Sequence, residues 1–310
     1  MKRQQKKEAP SNSPKALVVA VTSRALFDLE KSNGIFETKG LLAYDKHQLE
    51  KENEVLRPGV AFPLVKRLSE LTMPGTKEHA VEVILVSKNN PSTGLRAFNS
   101  IECHGLKMVT RAAFTGGAAN NGYLQAFGVD LFLSADEEDV RIALKANIPA
   151  AKVYPRTVTN DSTEQIRFAF DGDSVIFSDE AEKVFTEKGL SGFLDNEARK
   201  AAVPLGAGPF KSFLEKIHRI QQAFPANKNP IRTALFTARN APAHRRAVMT
   251  LRHWKIMLNE AFFLGGLPKT AFLEKYQPHI FFDDQERYTR PASRKMSAAH
   301  VPYGVKNKRA

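Results

Sequence analysis

Cysteine is nearly missing from this chain. Its 310 residues hold one, Cys103, which excludes an internal disulfide and fits a reducing compartment. Long apolar runs are also lacking, and none approaches the roughly 18–20 residues that a membrane helix requires. Residues 1–8 are basic with no apolar stretch behind them, so no secretory signal is expected and the chain reads as cytoplasmic, with no membrane partner. No Ser/His/Asp arrangement and no His/Cys metal spacing stands out. Acid is scarce only at the two ends. Of the net charge of +13, residues 1–15 carry +4 and residues 288–310 carry +6, which leaves +3 for the body. The basicity therefore defines no specific nucleic-acid partner, and both ends read as disordered, solvated tails.

What is present suits two domains of ordinary size. A hydrophobic content of 42% and a charged content of 25% are those of a globular protein. The stretch that organises the rest is Ile166-Arg-Phe-Ala-Phe-Asp-Gly-Asp-Ser-Val-Ile-Phe-Ser-Asp-Glu180. Ile166 to Phe170 reads as a buried strand, ended by Asp171 and Asp173 around Gly172. Open α/β sheets place their chemistry just past the carboxyl ends of strands. Two like charges this close need a cation between them or a shared proton. A plain strand followed by an Asp-Gly turn is the bland alternative.

The chain also repeats itself. Thr22 falls opposite Asp171 at an offset of 149, and Phe36-Glu-Thr-Lys-Gly-Leu41 echoes Phe185-Thr-Glu-Lys-Gly-Leu190 at the same offset. Ser87 answers Thr237 at 150, while Asn120 answers Lys269 and Ser134 answers Asp283 at 149. Echoes in this order at a nearly constant offset imply two copies of one α/β unit. Strands alternating with amphipathic helices call for mostly parallel sheets covered on both faces. Helices are expected near 45–54, 62–71, 92–103 and 136–146, then near 179–189, 210–223, 242–254 and 269–276. The expected organisation is a tail at 1–15, a non-catalytic copy at 16–150, a linker at 151–165, a catalytic unit at 166–288 and a second tail at 289–310. Inserts of about 60 residues follow the first strand of each copy, too long for an ordinary connection, and the second of them, about 180–230, should form a small cap.

The copies differ at their strand ends. The second carries Asp171, Asp173, Thr237, Lys269, Asp283 and Asp284, where the first has Thr22, Arg24, Ser87, Asn120, Ser134 and Ala135. Charges concentrated in one half on a shared scaffold imply one working site and one lapsed or never-active copy. Carboxylates from two strand ends make a hard oxygen site suited to Mg²⁺ and a phosphate oxygen. A Lys and a Thr hydroxyl nearby can stabilise a phosphoryl group in transfer. Asp171 can then attack phosphorus, and Asp173 can protonate the leaving oxygen and later activate water.

These residues carry a resemblance. Phe170-Asp-Gly-Asp-Ser-Val-Ile-Phe-Ser-Asp-Glu180, Pro209-Phe-Lys-Ser-Phe-Leu214, Ile231-Arg-Thr-Ala-Leu-Phe-Thr-Ala-Arg239 and His279-Ile-Phe-Phe-Asp-Asp-Gln285 resemble the haloacid dehalogenase-like phosphohydrolases. With Ala20-Val-Thr-Ser-Arg-Ala-Leu-Phe-Asp28 and Leu131-Phe-Leu-Ser-Ala-Asp136, the chain is similar to the cytosolic 5′-nucleotidase type I family over residues 16–288. The resemblance implies tandem Rossmann-like units, Mg²⁺, an aspartyl-phosphate and hydrolysis of nucleoside 5′-monophosphates, AMP among them. It implies Asp171 as nucleophile and metal ligand, Asp173 as acid and base with its carbonyl on the metal, Thr237 and Lys269 on the phosphoryl group, and Asp283 completing the metal site. Asp284 is a second ligand or an outer partner.

Other residues carry competing readings. Phe210 can stack a base and Lys211 can reach phosphate, but helical spacing with Phe213 and Leu214 also suits a core position. Arg239 and Asn240, just past Thr237, are candidates for ribose or phosphate contact. Asp136, Glu137, Glu138 and Asp139 suit a helix N-terminus better than a metal. Cys103 and His104 read as structural. A phosphatase of another small metabolite and a non-catalytic nucleotide-binding protein are the alternatives in function, and a homo-oligomer is compatible with all three.

Overall fold

The repeated strand pattern becomes a single sheet. A computed structural model describes residues 16–119, 121–156 and 164–307. The expected tail at 1–15, residues 157–163 of the expected linker, Asn120 and residues 308–310 lie outside the described residues. In chain order the first half contains β1 (Leu17–Val21), α1 (Ser23–Leu26), α2 (Glu30–Glu50), α3 (Phe62–Ser69), β2 (Val81–Ser87) and α4 (Pro91–Cys103). It continues with β3 (Arg111–Phe114), α5 (Asn121–Ala126), β4 (Leu131–Ser134), α6 (Glu137–Lys145) and β5 (Ala150–Val153). The second half contains β6 (Ile166–Phe170), α7 (Glu180–Arg199), α8 (Lys211–Ala223), β7 (Ile231–Thr237), α9 (His244–His253) and β8 (Glu260–Phe263). It ends with α10 (Thr270–Tyr276), β9 (Ile280–Asp283), α11 (Glu286–Ser293) and β10 (Ala298–His300).

The ten strands run β3-β2-β1-β4-β5-β10-β9-β6-β7-β8. Read inward from its edge, each half has the same order, with β1 between β2 and β4 and β6 between β7 and β9. Every pairing is parallel except β5 with β10. That one antiparallel pair turns the halves against each other, so their strand carboxyl ends point in opposite directions. Register nevertheless puts Ser134, Lys152, His300 and Asp283 in one row across β4, β5, β10 and β9. The ends of the two halves thus meet at the middle of the sheet.

Alternation within the strands explains the layers. Val19, Val21, Phe168 and Phe170 face one continuous core that serves both halves. Val18 and Ala20 face a second core, while Ala169, Phe236 and Phe281 face a third. Each fully buried aromatic contributes ~1.5–3 kcal/mol, so burial on both faces decides the sheet more than strand propensity does. Caps act where the helices start. Asn90 accepts from the Thr93 N–H at 2.9 Å with Pro91 in the first turn, and Asp136 accepts from the Glu138 N–H at 2.8 Å.

The structure departs from the sequence reading at four places. Helix α2 spans Glu30–Glu50, where only 45–54 was expected, and α7 runs on to Arg199. Both bend at a glycine, Gly40 (φ +80°) and Gly189 (φ +65°), which serves as an elbow. Strand β5 begins at Ala150 and occupies the start of the expected linker. The expected disordered tail at 289–310 is instead ordered through residue 307, because small apolar residues among its basic ones, Ala298, Ala299 and Val301, fill the middle of the sheet at 0% exposure.

Candidate active site

Three strands of the second half end in polar residues that converge. Asp171 follows β6, its N–H donating to the Phe282 carbonyl of neighbouring β9 at 2.8 Å, which brings it alongside Asp283. Asp171 Oδ1 accepts from the Gly172 N–H at 2.7 Å and lies 2.8 Å from Lys269 Nζ. The same Nζ lies 2.6 Å from Asp283 Oδ2, and Asp283 Oδ1 accepts from the Gln285 N–H at 2.8 Å. Lys269, at the start of α10, is buried and also lies 4.6 Å from the centre of the Tyr288 ring. Thr237 ends β7, and a Cβ built on Gly172 would sit 3.3 Å from its hydroxyl oxygen. A side chain at Gly172 would crowd this hydroxyl, so glycine eases the close approach of the turn to β7.

Asp284 differs from its neighbours. It is 1% exposed, and neither carboxylate oxygen has a hydrogen-bond partner among the described residues. Its main-chain carbonyl accepts from His300 Nε2 at 3.0 Å and from Asn307 Nδ2 at 2.8 Å, so the segment after β10 holds it in place. Asp171, Asp283 and Asp284 each offer an oxygen within 4.8 Å of the others. Burial pushes all three carboxyls up, with Lys269 pulling the other way: Asp171 is raised, Asp283 reaches about 7 and Asp284 lies well above the usual range. One ammonium cannot balance three buried carboxylates. The unpartnered oxygens of Asp284 and an all-oxygen donor set fit a hard divalent cation.

The remaining expected residues have other surroundings. Asp173 does not join the acid cluster through its carboxylate. Its two oxygens accept a fork from Arg239, Nη2 at 2.7 Å and Nε at 2.8 Å. Arg239 is 3% exposed and its third arm is bound to Glu197 of α7, so it faces the protein and not a substrate. Glu197 is held in turn by Arg246 of α9 at 2.8 Å, and Arg246 reaches Glu180 at 2.5 Å. This buried relay of Asp173, Arg239, Glu197 and Arg246 went unseen in the sequence, because no local pattern joins positions 173, 197 and 239. Asn240 is exposed beside Gly265.

The cap expectations are corrected too. Phe210 is fully buried, its ring 4.7 Å from that of Phe282 and edge-on to Phe170 and Phe213, so it belongs to the core and cannot stack a base. Lys211 pairs with Glu215 at 2.6 Å and lies over Trp254. A further acid, Glu182 of α7, is near enough to push the Asp284 carboxyl up and meets Lys306 at 2.5 Å. Its carboxyl is raised by burial despite that lysine, with Asp173 and Asp171 adding to the effect. Asp136 caps α6, with Glu137, Glu138 and Asp139 in its first turn, and Glu137 is bound by Lys152 and Arg141. His104 is structural, its Nε2 donating to the Leu56 carbonyl and its ring stacked on Phe27.

These features define a class: an open α/β protein with an acidic, cation-demanding centre at the carboxyl ends of its strands. Comparison with known proteins narrows it. A family model described as 5′-nucleotidase matches residues 9–308, and the chain belongs to that family. It is 37% identical over 310 residues to human cytosolic 5′-nucleotidase 1B, covering 96% of this chain. The chain spans about half (50%) the length of that relative. No solved structure matches. Among the described residues, no helix is long and apolar enough to cross a membrane.

Proposed function

We propose that the protein is a cytoplasmic, Mg²⁺-dependent 5′-nucleotidase that converts nucleoside 5′-monophosphates, AMP among them, to nucleoside and phosphate. The observation that carries this reading is the buried set of Asp171, Asp283 and Asp284 around Lys269, with both Asp284 oxygens unpartnered. Asp171, Asp283 and Asp284 would hold the metal, which supplies a positive centre for phosphate oxygens. Family membership and the relative's name supply the substrate class.

The protein's own groups provide the rest. Lys269 and the Gly172 N–H both hold Asp171 Oδ1, so Oδ2 is the oxygen left to attack phosphorus. As the P–O5′ bond breaks, the leaving oxygen takes a proton from Asp173, which acquires that proton from water beforehand while Arg239 keeps it oriented through its other oxygen. Water then attacks the aspartyl-phosphate, returns a proton to Asp173 and frees Asp171. Thr237 and Lys269 hydrogen-bond the phosphoryl oxygens throughout. The matching strand orders support the reading of the chain as two tandem Rossmann-like units. In that reading the second unit is haloacid dehalogenase-like, and α7 forms its cap, while α8 packs on the sheet through Phe213, Leu214 and Ile217. The first copy has no catalytic role.

Phosphate release measured over a panel of nucleoside monophosphates and sugar phosphates tests the reading. Turnover of nucleotides with Mg²⁺, loss with EDTA and a fall of at least ~10³-fold in Asp171→Asn are expected. Near-normal turnover by that variant would remove Asp171 from the nucleophile's role.

A further inference from the structure

The first half has lost the acids but kept a cleft. At the carboxyl ends of β1, β2 and β4, a cavity of about 500 Å³ opens, lined in part by Thr22, Ser87 and Ser134. Its size falls within the range of small-molecule sites, roughly 300–1,000 Å³. It stands where the other half carries its acid centre, which the shared strand order and the offset of 149–150 residues make plain.

Its chemistry is that of a neutral ligand. Both cations in the lining are already satisfied: Arg24 forks onto Glu30 at 2.7 and 3.0 Å, and Lys88 meets Asp136 and Asp139 at 3.0 and 2.8 Å. No unbalanced positive charge awaits a phosphate chain. The hydroxyl oxygens of Thr22 and Ser134 each accept one backbone N–H, at 3.3 and 3.0 Å, and among the described residues their protons have no acceptor. Asp45, in the same lining, has the reverse need, since among the described residues its Oδ1 is buried with no partner and its Oδ2 reaches Asn90 at only 3.4 Å. A carboxylate in that state suits a pair of sugar hydroxyls. Phe36, half exposed and edge-on to Tyr44 at 6.0 Å, adds an apolar surface for a flat ring.

We propose that this cleft binds a ribonucleoside without turning it over: ribose hydroxyls on Asp45, base against Phe36, and ring acceptors on the Thr22 and Ser134 hydroxyls. The binding argument stands on the cavity alone, and rests on the proposed nucleotidase activity only for the source of the nucleoside, which would be its product.

Photolabelling of the full chain with 8-azidoadenosine, followed by peptide mapping, tests this without requiring turnover. Failure of the cleft and failure of the nucleotidase reading therefore show separately. Label is expected in residues 29–45, persisting in Asp171→Asn and falling at least tenfold in Asp45→Asn and in Phe36→Ala. Phe36 is 48% exposed, so its truncation leaves the fold intact. Label confined to residues 166–293, or equal labelling of 29–45 in both cleft variants, would overturn the proposal. Stronger labelling of 29–45 by 8-azido-ATP than by the nucleoside would overturn it as well, because the cleft would then be an anion site.

Discussion

Arg239→Met separates a residue that holds the protein together from one that holds the substrate. The guanidinium is buried between Asp173, whose side chain is 19% exposed, and Glu197, whose side chain is 0% exposed. Removing one partner of a buried ion pair costs about 3–5 kcal/mol, because the other charge is left behind in a dry place. Here the lower end applies. Glu197 keeps Arg246 at 2.8 Å, and Asp173 is open enough to recover water. A loss of about 3 kcal/mol should lower the melting temperature by roughly 6–12 °C, at about 2–4 °C per kcal/mol for chains of this order of size. Urea unfolding followed by the fluorescence of Trp254, the only tryptophan, reads the change directly. Activity should fall as well, through kcat, because a freed Asp173 no longer points where its proton is needed. A misplacement of this kind costs up to about 10²-fold. In the double variant with Glu197→Gln, the stability losses should be non-additive by ~0.5–3 kcal/mol. A variant as stable as the parent, with unchanged kcat and a raised KM, would show that Arg239 touches substrate and would refute the relay.

Three further outcomes follow from the geometry. Mg²⁺ should raise the melting temperature of the parent by an amount that grows with concentration, about 2.7 kcal/mol at one hundred times Kd, while Asp284→Asn abolishes the shift without lowering metal-free stability. A metal-induced shift of parental size in that variant would take Asp284 out of the site. Phe210→Ala should cost about 3–5 kcal/mol as a cavity among Phe170, Phe213 and Phe282, with KM unchanged in the folded fraction, whereas a stacking residue would show the reverse. At Glu137, burial pushes the carboxyl up but Lys152 and Arg141 outweigh it and hold it at about 2, against an ordinary 4.5. A depressed folded-state value means stability that is present above pH 4.5 and lost as pH falls toward 2, so Glu137→Gln should flatten the decline of melting temperature over that window. Parallel declines in parent and variant would count against the ion pairs.

The sequence showed most of the skeleton because apolar runs and their repetition are local signals. Asp171, Asp283, Asp284, Lys269 and Thr237 were also legible, each standing at the end of a run that could only be a buried strand or at the head of a helix. What stayed hidden depended on distance along the chain. Arg239 looked like a free cation because its partners lie 66 and 42 residues earlier. Helical spacing with Phe213 and Leu214 already suited Phe210 to the core, but it says which face is apolar and not how deep the first residue of that face sits. The segment around β10 was masked by composition: three small residues among basic ones carry little hydrophobic signal, yet fill a slot between β5 and β9 that only small side chains fit. Helix α7 was expected to end at residue 189 for a related reason, since a glycine that ends a helix and one that bends it look alike in one dimension.

The strand pairing that joins the halves is two residue pairs long, Ala299 with Val153 and His300 with Lys152. His300 belongs to that junction and also grips the carbonyl of Asp284. Whatever loosens the suture between the halves therefore shakes the acid centre, and whatever fastens the acid centre tightens the suture. By reciprocity, an ion bound at Asp284 would act as a clasp for the whole sheet, and a substitution at Val153, far from any reacting atom, would register first as a weakened grip on that ion.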